Sequence, residues 1–185
     1  MKPEVESQKS ERIETGRLIL RRPVAADAPA IYERYAADAE VTRYLAWPRH
    51  RSIDDTRGFL SFSDHEWQRA AAGPYLILSR DDGRVLGGTG LTFETPSRAS
   101  TGYVISRDSW GRGYATEALV AMAGLARQLG VIRLYALCHA SHRASARVLE
   151  KGGFTLEGCL RAHSAFPNLD AGSLQDVLLY ADILR

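Results

Sequence analysis

Trp110-Gly111-Arg112-Gly113-Tyr114-Ala115-Thr116-Glu117 is a glycine-bearing turn that opens a segment of helical periodicity. Such a turn binds anions by construction. The first amides of a helix have no partner inside it, and glycine lets a phosphate come close, so a diphosphate gains several hydrogen bonds and the favourable end of the helix dipole. Donors are expected along Arg112, Gly113, Tyr114, Ala115 and Thr116. Taken alone, the same octapeptide also suits an ordinary turn feeding a core helix. A second segment, Arg143-Ala144-Ser145-Ala146-Arg147-Val148-Leu149-Glu150-Lys151-Gly152-Gly153-Phe154, carries a hydroxyl at Ser145 between guanidinium groups at Arg143 and Arg147. His142 precedes it, a side chain that titrates near neutral pH.

Several chemistries fail on spacing. A dinucleotide fingerprint needs a third small residue at G-x-G-x-x-G and an acid about twenty positions on. Here Thr116 takes the third place, and Val131 and Ile132 lie where the acid belongs. A P-loop needs Gly-Lys-Ser or Gly-Lys-Thr, and a serine hydrolase needs a Gly-x-Ser-x-Gly elbow. The sequence has none of these.

The elements that must position these residues are legible in outline. Arg17 to Pro23 reads as a strand stopped by proline, Ala25 to Ala37 has helical character, and Tyr44 to Arg51, with Pro48, breaks the pattern. A helix is predicted from an N-cap at Ser52, with Asp54 and Asp55 in its first turn, to Gly73-Pro74. Tyr75 to Ser79 and Val85 to Phe93 form a hairpin around Asp81-Asp82-Gly83-Arg84, and Thr101 to Ile105 is a further strand. Ala115, Leu119, Met122, Ala126 and Leu129 make one apolar stripe closed by Gly130. Arg133 to Cys138 is a strand, Arg143 to Lys151 a short helix, Phe154 to Arg161 a strand, and Gln175 to Ile183 closes the sheet. The fold class is α/β, with one mixed, mostly antiparallel sheet and helices on both faces. Residues 1–14, polar and without an apolar run, read as a flexible lead-in, and 15–185 as one domain.

Composition bounds the function. The 185 residues are 45% hydrophobic and 25% charged, which suits one globular domain, and the formal charge of +2, with no block of like charge, argues against nucleic acid as partner. Nothing in the sequence suggests a membrane span or a metal cluster. Cys138 and Cys159 read as free, buried thiols of a reducing cytoplasm.

The glycine turn together with Arg143 to Phe154, followed by Thr155-Leu156-Glu157-Gly158-Cys159-Leu160-Arg161, resembles a GNAT acyltransferase, and most closely the ribosomal-protein alanine N-acetyltransferase branch. The resemblance runs roughly from Leu18 to Leu184. It implies a splayed V between two central parallel strands, acetyl-CoA as co-substrate without a metal, an amine acceptor, and room for a homodimer. It assigns the backbone of Tyr103, Val104 and Ile105 to pantetheine, residues 112–116 to the pyrophosphate, and Ser145 to the neighbourhood of the CoA sulfur. Arg143 and Arg147 would neutralise a phosphate. His142 stands where the family has asparagine, and would hydrogen-bond pantetheine or take a proton. Trp110 is usual in this branch. Ser100, in contrast, lies where many relatives have a glutamate base, and Leu149 where others have a tyrosine acid. Ser145 and His142 are therefore the candidate catalytic residues, with Glu94 in reserve.

The missing carboxylate bears on the acceptor. An α-amine with a pKa near 8 is roughly a tenth neutral at pH 7, whereas a lysine near 10.4 is neutral in about one molecule in 2,500. Losing a general base, typically worth about 10²–10⁴-fold, therefore harms a lysine acetylase more. The acceptor expected is a protein or peptide N-terminal α-amine. A small-molecule amine, or a CoA-sensing module without catalysis, are the alternatives. The acceptor pocket is expected between residues 32–67 and a late loop over 162–176.

Overall fold

The computed structural model describes residues 10–184. Eight strands form one sheet: β1 (Arg12–Glu14), β2 (Leu18–Arg21), β3 (Pro74–Ser79), β4 (Val85–Thr95), β5 (Arg98–Ile105), β6 (Arg133–His139), β7 (Thr155–Phe166) and β8 (Asp170–Ile183), in the order β1-β2-β3-β4-β5-β6-β8-β7. Every neighbouring pair is antiparallel except β5 and β6. The helices are α1 (Ala28–Ile31), continued by a π-helical turn over Tyr32–Ala36, then α2 (Ala39–Thr42), α3 (Ile53–Arg69), α4 (Tyr114–Gln128) and α5 (Arg143–Lys151).

Strand alternation divides the core into two layers. In β3, Tyr75 and Ile77 face a cluster containing Leu119, Met122 and Ala126 of α4, while Leu76 and Leu78 face Ile31, Tyr35 and Leu60 on the other side. The apolar stripe predicted for α4 is the centre of the first layer, with Leu119 and Met122 fully buried. Truncating either to alanine would cost about 2–5 kcal/mol. Gly152 lets α5 close on α4, because a Cβ there would lie 2.5 Å from Leu119 Cδ2. The start of α3 follows its capping signal: Ser52 Oγ accepts from the Asp55 amide, and Asp55 returns a carboxylate to the amides of Ser52 and Arg51 at 3.0 and 2.8 Å.

The β5–β6 pairing ends almost as soon as it starts. Only Arg98↔Arg133, Ala99↔Leu134 and Ser100↔Tyr135 are in register, after which the strands diverge. The splayed V implied by the resemblance is thus present, with its vertex at Ser100.

Three expectations need correction. β1 pairs with β2 inside the segment read as a flexible lead-in, and the rest of that segment, 1–9, lies outside the described residues. The span 162–176 is not a loop but most of a long β7–β8 hairpin, kinked by a bulge where Ala162 has φ 45° and donates its amide to Asp176. The bulge and its short tip hid the strand pattern, since a register shift breaks the two-residue alternation. Cys138 is buried as expected, whereas Cys159 is exposed.

Candidate active site

The arms of the V open into a cavity of about 1740 Å³, bordered by β4, β5 and β6, the first turn of α4, the inner face of α5, and residues 43–51 together with α3 on the far side. Beyond Ser100, the edge of β5 that would face β6 has no strand partner among the described residues, while its other edge is fully paired with β4 from Thr101↔Leu91 to Ile105↔Gly87. Tyr103, Val104 and Ile105 all border the cavity along this open edge. The Ile105 carbonyl is already used, because the Trp110 indole donates to it at 2.7 Å and so ties the strand end to the glycine turn.

The turn itself has the geometry that only glycine adopts freely. Gly111 and Gly113 have φ of 72° and 80°, and Gly113 is the N-cap of α4 with no side-chain cap. Helix-opening amides without a side-chain cap, beside a cavity, form an anion cradle. Gly113, Tyr114, Ala115 and Thr116 border the cavity. The Arg112 side chain does not; its carbonyl accepts from Arg17 Nη1 at 2.8 Å.

Arg17 is a residue that motif reading misses. Its Nε and Nη2 each lie 2.7 Å from Glu117 Oε2, its amide donates to Oε1 at 2.8 Å, and its guanidinium sits 4.8 Å from the Tyr114 ring centroid. Thr15 Oγ1 adds a 2.6 Å bond to the same carboxylate. Burial opposes ionisation of Glu117, but the bonds from Thr15 and Arg17 outweigh it and lower its pKa.

Across the V, Ser145 meets a partner the sequence does not suggest. Tyr103 Oη lies 2.9 Å from Ser145 Oγ and donates to the Ser145 carbonyl at 3.0 Å. Ser145 also contacts the Cys138 thiol, whose pKa burial pushes up to about 11. Burial likewise pushes the Tyr103 phenol well above its usual value, so at neutral pH it carries its proton. The position of the absent tyrosine acid, Leu149, is 1% exposed and belongs to the core.

His142 borders the cavity at the start of α5 and stacks on Tyr44, with ring centroids 4.6 Å apart. Burial, and then its neighbour His139, lower its pKa, so it is neutral at pH 7. Of the two arginines of α5, Arg147 borders the cavity and Arg143 does not; Lys151, a further turn along, does. Glu94 is unsuited to act as a base. It is bonded to Tyr135 and paired with Arg98, these partners hold it ionised with a lowered pKa, and it does not border the cavity. Among the described residues no group of three or more His, Cys, Asp or Glu side chains is placed to hold a metal, and no helix is long and apolar enough to cross a membrane.

Comparison with known proteins agrees with this geometry. Residues 17–155 match the family model of the acetyltransferase (GNAT) domain. An N-acetyltransferase of Bacillus subtilis is 32% identical over 154 residues, covering 82% of this chain and 86% of the relative. A ribosomal-protein-serine acetyltransferase of Escherichia coli is 30% identical over 144 residues, covering 76% and 77%. Among solved structures, a ribosomal alpha-N-protein acetyltransferase in complex with coenzyme A superposes with a TM-score of 0.82 at 27% identity, covering 94% of this chain and 98% of that one. A V with an open β5 edge, an uncapped glycine-flanked helix start and a matching family model have one explanation: the chain belongs to the GNAT family and is an acetyl-CoA-dependent N-acetyltransferase.

Proposed function

We propose that the acceptor is the α-amine of a protein or peptide, and that acetyl transfer proceeds by direct attack within a ternary complex. The observation that carries this reading is that, among the described residues, no carboxylate is free at the reaction centre. Ser100 occupies the vertex of the V, and Glu94 is committed to Arg98 and Tyr135. Of the acids bordering the cavity among the described residues, Asp54 pairs with Arg57 at 2.6 Å, Asp55 caps α3, and Glu40 belongs to α2 on the far wall, beside Arg43, Arg49 and Arg51. A site of this kind favours an amine that is already partly neutral at pH 7, as an α-amine is. Two relatives named for ribosomal-protein acetylation support the same class of acceptor.

Each group has a distinct task. The amides opening α4 fit the diphosphate, with Arg147 and Lys151 adding positive charge nearby, and the open edge of β5 over Tyr103, Val104 and Ile105 fits the pantetheine amides. Bound there, acetyl-CoA supplies the activated acyl group. Ser145 Oγ is the proton source for the departing sulfur and regains a proton from the Tyr103 hydroxyl 2.9 Å away, which turns to it from the Ser145 carbonyl and is reprotonated by water. His142, held neutral by burial, lines the same space and can accept the amine proton in passing to water.

The test is thiol release from acetyl-CoA with peptides whose α-amine is free or blocked, each also carrying one internal lysine. Acetylation confined to the free α-amine is the expected outcome. Modification of the lysine at a comparable rate, or turnover only of small amines, refutes the assignment. Cofactor specificity is read separately: CoA raises the melting temperature and NAD does not, binding at a hundredfold excess over Kd being worth about 2.7 kcal/mol.

A further inference from the structure

Residues 43–51 form the cavity wall on the face of the sheet opposite α4, where Trp47, Ile53 and Phe59 pack beside Leu76 and Val104. This wall has no secondary structure of its own, yet its backbone is held at several points. Asn168, at the tip of the β7–β8 hairpin, donates through Nδ2 to the carbonyls of Thr42 and Trp47, both at 2.8 Å, and accepts from the Arg49 amide at 2.7 Å. The His50 amide donates to the Ala36 carbonyl, and the Arg51 amide to Asp55.

Three arginines on this fixed wall, Arg43, Arg49 and Arg51, border the cavity and have no carboxylate partner among the described residues. Other arginines are paired, Arg21, Arg34, Arg107 and Arg133 each holding an acid within 2.9 Å, while Arg112, Arg127, Arg143, Arg147 and Arg161 are likewise without an ion pair among the described residues but lie apart from this wall. Of the acids bordering this wall, Asp54 and Asp55 are already engaged, which leaves the carboxylate of Glu40 against three guanidinium groups. The charge also reaches toward the reaction centre. Arg43 lies 5.4 Å from the Tyr44 ring centroid, and Tyr44 stacks on His142 at the start of the helix that carries Ser145.

We infer that this wall selects an acidic peptide, one that carries aspartate or glutamate within a few residues of its free α-amine. The inference rests on the α-amine reading above and extends it to the side chains next to the amine. Unpaired guanidinium groups on a pre-organised wall attract carboxylates and repel cationic segments. They also disfavour the ammonium form of an amine brought close to them, which raises the neutral fraction available to attack. Charge of one sign thereby serves both recognition and nucleophile activation.

The experiment uses the full chain and acetyl-CoA with peptides of equal length and identical N-terminal residue, carrying none, one or two aspartates at positions two to four, or lysines in their place. At about 50 mM salt kcat/KM is expected to rise roughly 2- to 5-fold per carboxylate and to fall with lysine, and at about 500 mM the spread should collapse. The combined variant Arg43→Gln/Arg49→Gln/Arg51→Gln should flatten the series while its calorimetric affinity for acetyl-CoA stays within about twofold. A flat or lysine-favouring series in the unmodified protein overturns the inference, as does a variant that loses acetyl-CoA affinity in step with the acidic peptides. Inert peptides alongside turnover of free aspartate and glutamate in preference to their amides would overturn the peptide reading and retain the charge selection. Inert peptides without that preference overturn both.

Discussion

Arg17 and Glu117, separated by 100 residues, hold the glycine turn from behind: one guanidinium binds the Glu117 carboxylate at 2.7 Å and the Arg112 carbonyl at 2.8 Å. The β1–β2 connection thereby fixes the turn against the first turn of α4. Glu117→Gln keeps the shape and removes the charge. It is expected to raise the KM for acetyl-CoA about 3- to 10-fold with little change in kcat, because ground-state and transition-state binding suffer alike. An unchanged KM in a folded variant would show that the turn holds its conformation without the clamp.

The same carboxylate makes stability depend on pH. Glu117 and Asp27 have lowered pKa values in the fold; in each, burial opposes ionisation and hydrogen bonds, from Thr15 and Arg17 or from Arg21 and Val24, outweigh it. Their stabilisation is present above the unfolded carboxylate value near 4 and is lost as pH falls through the folded value. His50 and His142, whose pKa values burial lowers, add an earlier loss as pH falls below about 6.5, where the unfolded chain gains protons that the fold resists. Urea midpoints from pH 8 to 3 should therefore decline in two stages, and Glu117→Gln should diminish only the more acidic one. Stability that rises on acidification from pH 7 to 5 would contradict the burial of these histidines.

Gly113 offers a sharper test of the anion cradle. With φ at 80°, any other L-residue there costs about 1–2 kcal/mol of strain, and its Cβ would come within 3.4 Å of Arg17 Nη2. Gly113→Val is expected to weaken CoA binding at least tenfold, well beyond its effect on the urea midpoint. Parallel losses in both would mean that the glycine serves folding alone.

The motifs are legible in the sequence because they are local: an anion cradle needs consecutive residues, and the α4 stripe needs only helical spacing. What stays hidden depends on the sheet. Tyr103 and Ser145 meet because the β5 and β6 arms splay apart and admit α5, a contact over 42 positions that neither residue signals alone. Tyr103 stands out in the sequence only for its backbone, since the resemblance places pantetheine there, and nothing local marks its hydroxyl. Arg17 looks like one more basic residue flanking a strand. Strand β1 is three residues of mixed polarity, Arg12-Ile13-Glu14, too short for alternation to register.

The Tyr103–Ser145 pair predicts non-additive kinetics. If the two hydroxyls form one proton source, Ser145→Ala and Tyr103→Phe should each lower kcat by roughly 10- to 10⁴-fold, and the double variant should be little worse than the poorer single one. Affinity for CoA should hardly change. Effects that multiply would assign the two hydroxyls separate roles, and a full-rate Ser145→Ala enzyme, with product release shown not to limit turnover, would remove Ser145 from the mechanism.

Asn168 shows how a hairpin tip far from the chemistry can govern the acceptor. Its amide donates to the carbonyls of Thr42 and Trp47 and accepts from the Arg49 amide, so it fixes both ends of a segment with no regular structure. Asn168→Asp retains the size and the acceptor for Arg49 but sets a carboxylate oxygen against two carbonyl oxygens. Losing two donors to partly buried carbonyls, and adding repulsion, costs about 1–3 kcal/mol, enough to release the wall. Asn168→Ala removes the bonds without the repulsion and should be milder. Since the glycine turn and the β5 edge are untouched, the expected signature is a rise of about 5- to 50-fold in the KM for the acceptor, larger for aspartate than for alanine, with the KM for acetyl-CoA unchanged. Hydrogen exchange should report the same release as faster exchange at the Arg49 and His50 amides. If the acceptor KM holds steady while those amides exchange faster, the wall is mobile without consequence for binding, and the acceptor must contact the opposite side of the cavity.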